Sequence, residues 1–83
     1  EKIMFLHLGS DVSVALKDVI AINDYSYLKT INKEFLKNMR SKKFIIDISE
    51  NDPKSFVITD KKIYLSAISS VTLKKRADNL YND

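Results

Sequence analysis

The stretch Ser55–Arg76, S-F-V-I-T-D-K-K-I-Y-L-S-A-I-S-S-V-T-L-K-K-R, decides how this chain is read. Phe56–Thr59 is a short apolar run rich in residues that suit a pleated surface, and Ile63–Ile68 is a second. Asp60-Lys61 lies between them as a tight turn, so the two runs are predicted to form a hairpin with lysine at its tip. Ser69 or Ser70 can then cap a short helix that carries Val71 and Leu73 and ends in Lys74-Lys75-Arg76. The stretch sets cations beside a sheet and supplies nothing reactive.

Working outward, Ile3, Phe5 and His7 alternate with Met4, Leu6 and Leu8, so this first strand is expected to be covered on both faces. Gly9-Ser10-Asp11 is a turn and holds the only glycine. Val12–Leu16 reads as a strand or a bent connector. Val19–Ile22 reads as a short buried strand stopped by Asn23-Asp24. Tyr27, Leu28, Ile31, Phe35, Leu36 and Met39 fall at helical spacing, with Lys33, Lys37 and Arg40 on another face. That pattern predicts an amphipathic helix from Tyr27 or Thr30 to Lys42, capped by Ser26 or Thr30. Lys42 and Lys43 lie where cations suit its dipole. Phe44–Ile48 is a strand, Ser49–Pro53 a polar loop, and residues 78–83 are expected to fray. The fold class is α+β: a small, mainly antiparallel sheet with one amphipathic helix and a short C-terminal helix.

The chain has 83 residues, 45% of them apolar, so residues 1–83 form one domain with a thin core. A core of this size commonly needs a staple. There is no Cys and one His, which removes disulfides and zinc and leaves self-association as the expected support. No apolar run approaches the ~18–20 residues of a membrane span, so no membrane partner is expected. The first residues have no signal-peptide pattern, and the absence of Cys suits a reducing compartment, so the expected location is cytoplasmic. Met4 is a candidate native start, with Glu1 to Ile3 an addition ahead of it.

Chemistry has little to work with. His7 sits in an apolar strand with no marked nucleophile or orienting acid, so it reads as a packed or interface residue. Asp18, Asp24, Asp47, Glu50, Asp52 and Asp60 are scattered through turns and strand ends. A single glycine leaves no phosphate-binding loop. No catalytic residue, cofactor or metal site is expected, and the protein is not read as an enzyme. The net charge is +3, a mild excess whose meaning depends on placement. Each cation group alone reads best as solvated surface: Lys42-Lys43, Lys61-Lys62, Lys74-Lys75-Arg76 and the stripe Lys33, Lys37, Arg40. Together they suggest a face for phosphates. Two arginines leave base readout without evident means. Tyr64, on the opposite face from Ile63, Leu65 and Ala67, is the best of four tyrosines for stacking on a base, although tyrosine suits an oligomer interface equally well.

Several segments resemble a known family. L-G near the start, K-D-V-I-A-I-N-D, F-I-I-D, F-V-I-T-D and above all I-Y-L-S-A-I-S-S-V-T-L-K-K-R resemble the small extracellular-matrix (biofilm) regulators RemA and RemB. The I-S-S-x-T-L-K-K-R ending puts the chain nearer the RemB branch, and the resemblance runs from about Met4 to Arg76. It implies a cytoplasmic protein that controls transcription of matrix genes and, from the RemA branch, a fold similar to LytTR-type domains, binding of double-stranded DNA and assembly of copies into rings. It also implies DNA-contacting arginines at two places where this chain differs. The first is Asp18, with Lys17 beside it. The second is Asn51-Asp52, with only Lys54 nearby. A carboxylate in place of a guanidinium turns attraction to phosphate into repulsion. DNA contact is therefore expected to shift to Lys17, Lys54, Lys61 and Lys62, with Lys74, Lys75 and Arg76 in second place. The competing expectation is a self-assembling interaction module that binds no nucleic acid.

Overall fold

The computed structural model describes residues 2–31 and 33–81. Glu1, together with Asn82 and Asp83 of the expected frayed tail, lies outside the described residues. Six strands and two α-helices follow in the order β1 (Phe5–Gly9), β2 (Val12–Ala15), β3 (Val19–Asp24), α1 (Lys33–Ser41), β4 (Ile45–Asp47), β5 (Ser55–Thr59), β6 (Ile63–Ser66) and α2 (Ser70–Tyr81). The fold class is α+β. β1 and β2 make an antiparallel ribbon, and the other strands form one sheet in the order β3-β5-β6-β4.

The predicted hairpin β5–β6 is the centre of that sheet, with Phe56 opposite Leu65 and Ile58 opposite Ile63. Alternation sends its side chains to two shells. Val57 and Tyr64 face Leu6, Leu8, Val14, Leu16, Leu73 and Ala77, contributed by the ribbon and α2. Phe56, Ile58, Ile63 and Leu65 face Leu28, Leu36 and Tyr25. The molecule is thus three layers deep, with apolar residues on both sides of one small sheet.

The ribbon departs from the expectation of two covered faces. Leu6 and Leu8 are buried, whereas Phe5 and His7 point to solvent, because only one side of β1 meets the sheet. Gly9, at φ 106°, starts the turn and takes a backbone angle that L side chains rarely adopt. Val12–Ala15 is a true strand, registered Leu6 to Val14 and His7 to Ser13.

β3 does not stop at Asn23-Asp24, which pair with Phe56 and Ser55. Its register shifts between Val19 and Ala21, leaving Ile20 without a partner across the ladder and 68% exposed, where burial was expected. The chain turns where the Asp24 carboxylate accepts the Ser26 N–H at 2.8 Å. This cap, rather than Ser26 or Thr30, opens a 3₁₀ segment over Tyr25–Thr30. Thr30 donates its hydroxyl back to the Tyr27 carbonyl, and the β-branched pair Thr30-Ile31 leaves the helical path at Ile31. The single expected helix is therefore two pieces.

α1 ends in a left-handed residue, Lys43 at φ 60°, with the Phe44 N–H bonded to the Met39 carbonyl. β4 then runs parallel to β6, Ile45 beside Ile63 and Asp47 beside Leu65. Ser69 caps α2 as expected, accepting the Thr72 N–H at 3.2 Å. α2 is not short: Ala77 and half-buried Leu80 prolong the stripe of Leu73 over the core, so the helix continues past Arg76 to Tyr81.

Two buried hydroxyls hold the layers together. Ser55 and Ser66 are opposite each other across β5–β6 and fully buried. Ser66 donates to the Leu8 carbonyl at 2.7 Å, and Ser55 donates to the Ile68 carbonyl at 2.7 Å. Removing the Ser66 hydroxyl strips the Leu8 carbonyl of this donor in a dry site. Ser66→Ala is expected to lower unfolding stability by about 1–3 kcal/mol in urea titration; an unchanged midpoint would show that this link supports nothing.

The Ser26 backbone N–H, then the Ser26 hydroxyl, holds the exposed Asp24 carboxyl below its usual 3.8, with Lys29 adding to the effect. A depressed folded-state pKa gives stability that is complete above the unfolded value and lost as pH falls through the folded one. Asn at this position caps without titrating. The stability difference between the native chain and Asp24→Asn is therefore expected to be constant above pH ~5 and to shift against the native chain by pH ~2. A pH-independent difference in thermal melts would refute the cap.

Candidate nucleic-acid interface

Strand directions decide which charges meet. β5 ends at the hairpin tip, where β6 begins. β3 is antiparallel to β5, so its start lies at the same end, with the Asp60 N–H bonded to the Asp18 carbonyl at 3.1 Å. β4 is parallel to β6, so α1 delivers Lys42 and Lys43 to that end as well. One end of the sheet therefore collects Lys17, Lys42, Lys43, Lys61 and Lys62, with Asp18 and Asp60 as the neighbouring carboxylates.

The opposite end carries Asp24, Asp47, Glu50 and Asp52, with Lys54 and, close enough to act on Asp24, Lys29 as the neighbouring cations. The ribbon turn, with Asp11, joins it through the Ser10 hydroxyl, which donates to the Ile48 carbonyl at 3.1 Å. A chain of modest net charge thus becomes a sheet with one basic and one acidic end. The ends are about 17 Å apart, the length of a five-residue strand, which exceeds the Debye length in physiological salt.

The expected contact residues divide accordingly. Lys17 lies exposed on the 3₁₀ turn Leu16–Asp18, and Lys61 lies exposed on the hairpin tip. Thr59 fixes that tip: its hydroxyl donates to the Lys62 carbonyl at 2.9 Å and accepts the Lys62 N–H at 3.0 Å. Lys62 turns inward. Its half-buried side chain donates to the Lys43 carbonyl at 2.9 Å, and its Nζ stands 5.9 Å from the centre of the Phe44 ring. It neutralises the negative end of α1 and welds the tip to that helix.

Lys54 does not join this group. It is fixed at the acidic end, its N–H bonded to the Ser66 carbonyl and its carbonyl accepting the Tyr25 N–H. Lys74, Lys75 and Arg76 are exposed on α2. Arg76 reaches the His7 carbonyl at 3.4 Å, and Lys74 flanks a groove shared with Leu16, Ile20 and Tyr81. The two positions where the resemblance implies arginines, Asp18 and Asn51-Asp52, fall at opposite ends of the sheet.

Lys42 and Lys43 were legible in the sequence only as helix-end charges. The missing signal was the direction of β4, which follows its helix into a parallel pairing. Tyr64 packs half-buried against the ribbon side of the core and also lines a groove with Lys61 and Lys62 at the hairpin end. Among the described residues, no three His, Asp or Glu side chains are grouped to hold a metal ion. Within the same residues, no helix is long and apolar enough to cross a membrane.

The sequence of residues 5–77 matches the RemA-like family model, described as extracellular matrix regulatory protein A-like. The chain is also similar to extracellular matrix regulatory protein B of Bacillus subtilis (strain 168), with 39% identity over 79 residues, 94% of this chain and 95% of that protein. A family match over most of the chain, together with a full-length relative at this identity, settles the kinship: this chain belongs to the RemA-like family of extracellular matrix regulatory proteins.

Proposed function

We propose that this protein is a cytoplasmic, non-catalytic regulator of extracellular matrix (biofilm) genes that binds double-stranded DNA as a homo-oligomer. The observation that carries the reading is the gathering of Lys17, Lys42, Lys43 and Lys61 at one end of the sheet while carboxylates occupy the other. Such a surface orients the molecule on a polyanion and holds phosphates without reading bases. The name of the Bacillus subtilis relative supports the matrix role.

Association of copies is supported by the unusual surface. Phe5, Ile20, Tyr27, Phe35, Val71 and Tyr81 are each more than half exposed on a chain with a thin core. Repetition of a weak phosphate contact around an oligomer gives avidity. A second reading, a self-assembling interaction module without DNA, is favoured by Asp18 and Asn51-Asp52 at the positions where the resemblance implies arginines.

Fluorescence anisotropy of a labelled duplex across a salt series, with light scattering for mass, tests the proposal. Lys17→Glu combined with Lys61→Glu is expected to abolish duplex binding at unchanged particle mass. Lys17→Ala with Lys61→Ala should flatten the salt slope by about 2, at roughly 0.9 per lost phosphate contact. Lack of binding by the native oligomer even at about 20 mM salt, where such contacts are strongest, would leave the second reading in place.

A further inference from the structure

The basic end does not stop at the hairpin. Residues 33–43 carry Lys33, Lys37, Arg40, Lys42 and Lys43 against one carboxylate, Glu34, a local charge of +4 in a chain whose total is +3. The rest of the molecule is therefore net acidic. Lys33, Lys37 and Arg40 are all exposed on α1 and lie i, i+4 and i+7, which aligns them on one face. The Lys62 bond to the Lys43 carbonyl fixes the C-terminal end of α1 against the hairpin tip. The stripe and the tip are thus parts of one continuous cationic rim.

From this placement we infer that α1 is a second phosphate-contacting element and that one strand of a DNA duplex runs along it from the hairpin tip. The inference rests on the DNA-binding reading and extends its footprint. The stripe covers about 10 Å of helix axis, at 1.5 Å per residue. Phosphates of one strand recur every ~3.4 Å along the duplex axis, so the stripe spans about three of them. The exposed ring of Phe35 is not interleaved with these cations: at 100° per residue it lies roughly 160–200° around α1 from Lys33 and Lys37. The exposed ring beside the rim, Phe44, lies at its hairpin end under Lys62 and outside the α1 stripe, and a row of three cations with no ring among them fits the regular backbone of a duplex better than the unstacked bases of a single strand.

The test compares salt slopes for a mixed-sequence duplex of about 20 base pairs, using the intact native chain, Lys33→Ala/Lys37→Ala/Arg40→Ala, and the conservative set Lys33→Arg/Lys37→Arg/Arg40→Lys. All three sites are exposed and alanine favours helix, and circular dichroism checks that each variant folds. The alanine set is expected to flatten the slope by about 2–3 and to weaken binding equally across sequences, while the conservative set keeps the native slope. If the native protein binds and the alanine set keeps its slope, α1 is solvated surface and the inference falls while the proposed function stands. If the conservative set loses as much as the alanine set, α1 acts through its packing and the inference also falls. Stronger binding to a single strand of the same sequence would overturn the duplex geometry. If the native chain binds neither, the DNA-binding reading itself is wrong.

Discussion

Two serine hydroxyls, Ser55 and Ser66, face each other in the dry centre of the molecule and bond outward to the Ile68 and Leu8 carbonyls. This arrangement is the constraint on which the other elements depend. A hydroxyl can occupy such a site only when it is satisfied, so the ribbon and the link to α2 must lie where those carbonyls can be reached. With both located, the hairpin β5–β6 has one face closed by the ribbon and α2. Its other face is left for the segment between β3 and β4. A chain this short gains a second shell of burial by placing its best strands in the middle and covering them on both sides.

That central position also organises the surface. Strand ends are where chain turns gather, and turns hold the charged residues. Because β3 is antiparallel to β5, and β4 parallel to β6, the turns fall into two groups at opposite ends of one sheet. The groups differ in composition: lysines at the hairpin end, carboxylates at the other. The electrostatic character of the protein is thus a product of topology more than of total charge. Swapping the direction of β4 alone would carry Lys42 and Lys43 to the acidic end and cancel much of the difference.

The hairpin, the turn at Gly9, the cap at Ser69 and the α+β class were legible in the sequence, because each rests on local chemistry: β-branched runs, a residue tolerant of positive φ, a serine ahead of an apolar stripe. The break at Ile31 was not, since the apolar spacing from Tyr27 to Met39 is equally compatible with one helix or two pieces. Nor was the solvent exposure of Phe5 and His7, because alternation cannot say which faces find a partner. The candidate interface was half legible. The hairpin turn at Lys61 could be read from its neighbours, whereas Lys17 came into view through the resemblance. Lys42 and Lys43 required the pairing of β4, the separation of Lys54 from the hairpin tip depends on the direction of β5, and the inward turn of Lys62 depends on where α1 stops.

The unpaired residue in β3 blunts one edge of the sheet. A free outer strand invites another chain to add to it, and repetition of that step builds fibres. Here the extra residue, Ile20, interrupts the ladder and bends the strand just where a newcomer would have to align. Strand addition along this edge of the sheet is therefore discouraged from its first step, which leaves the side chains of β3, more than its backbone, to meet whatever approaches it.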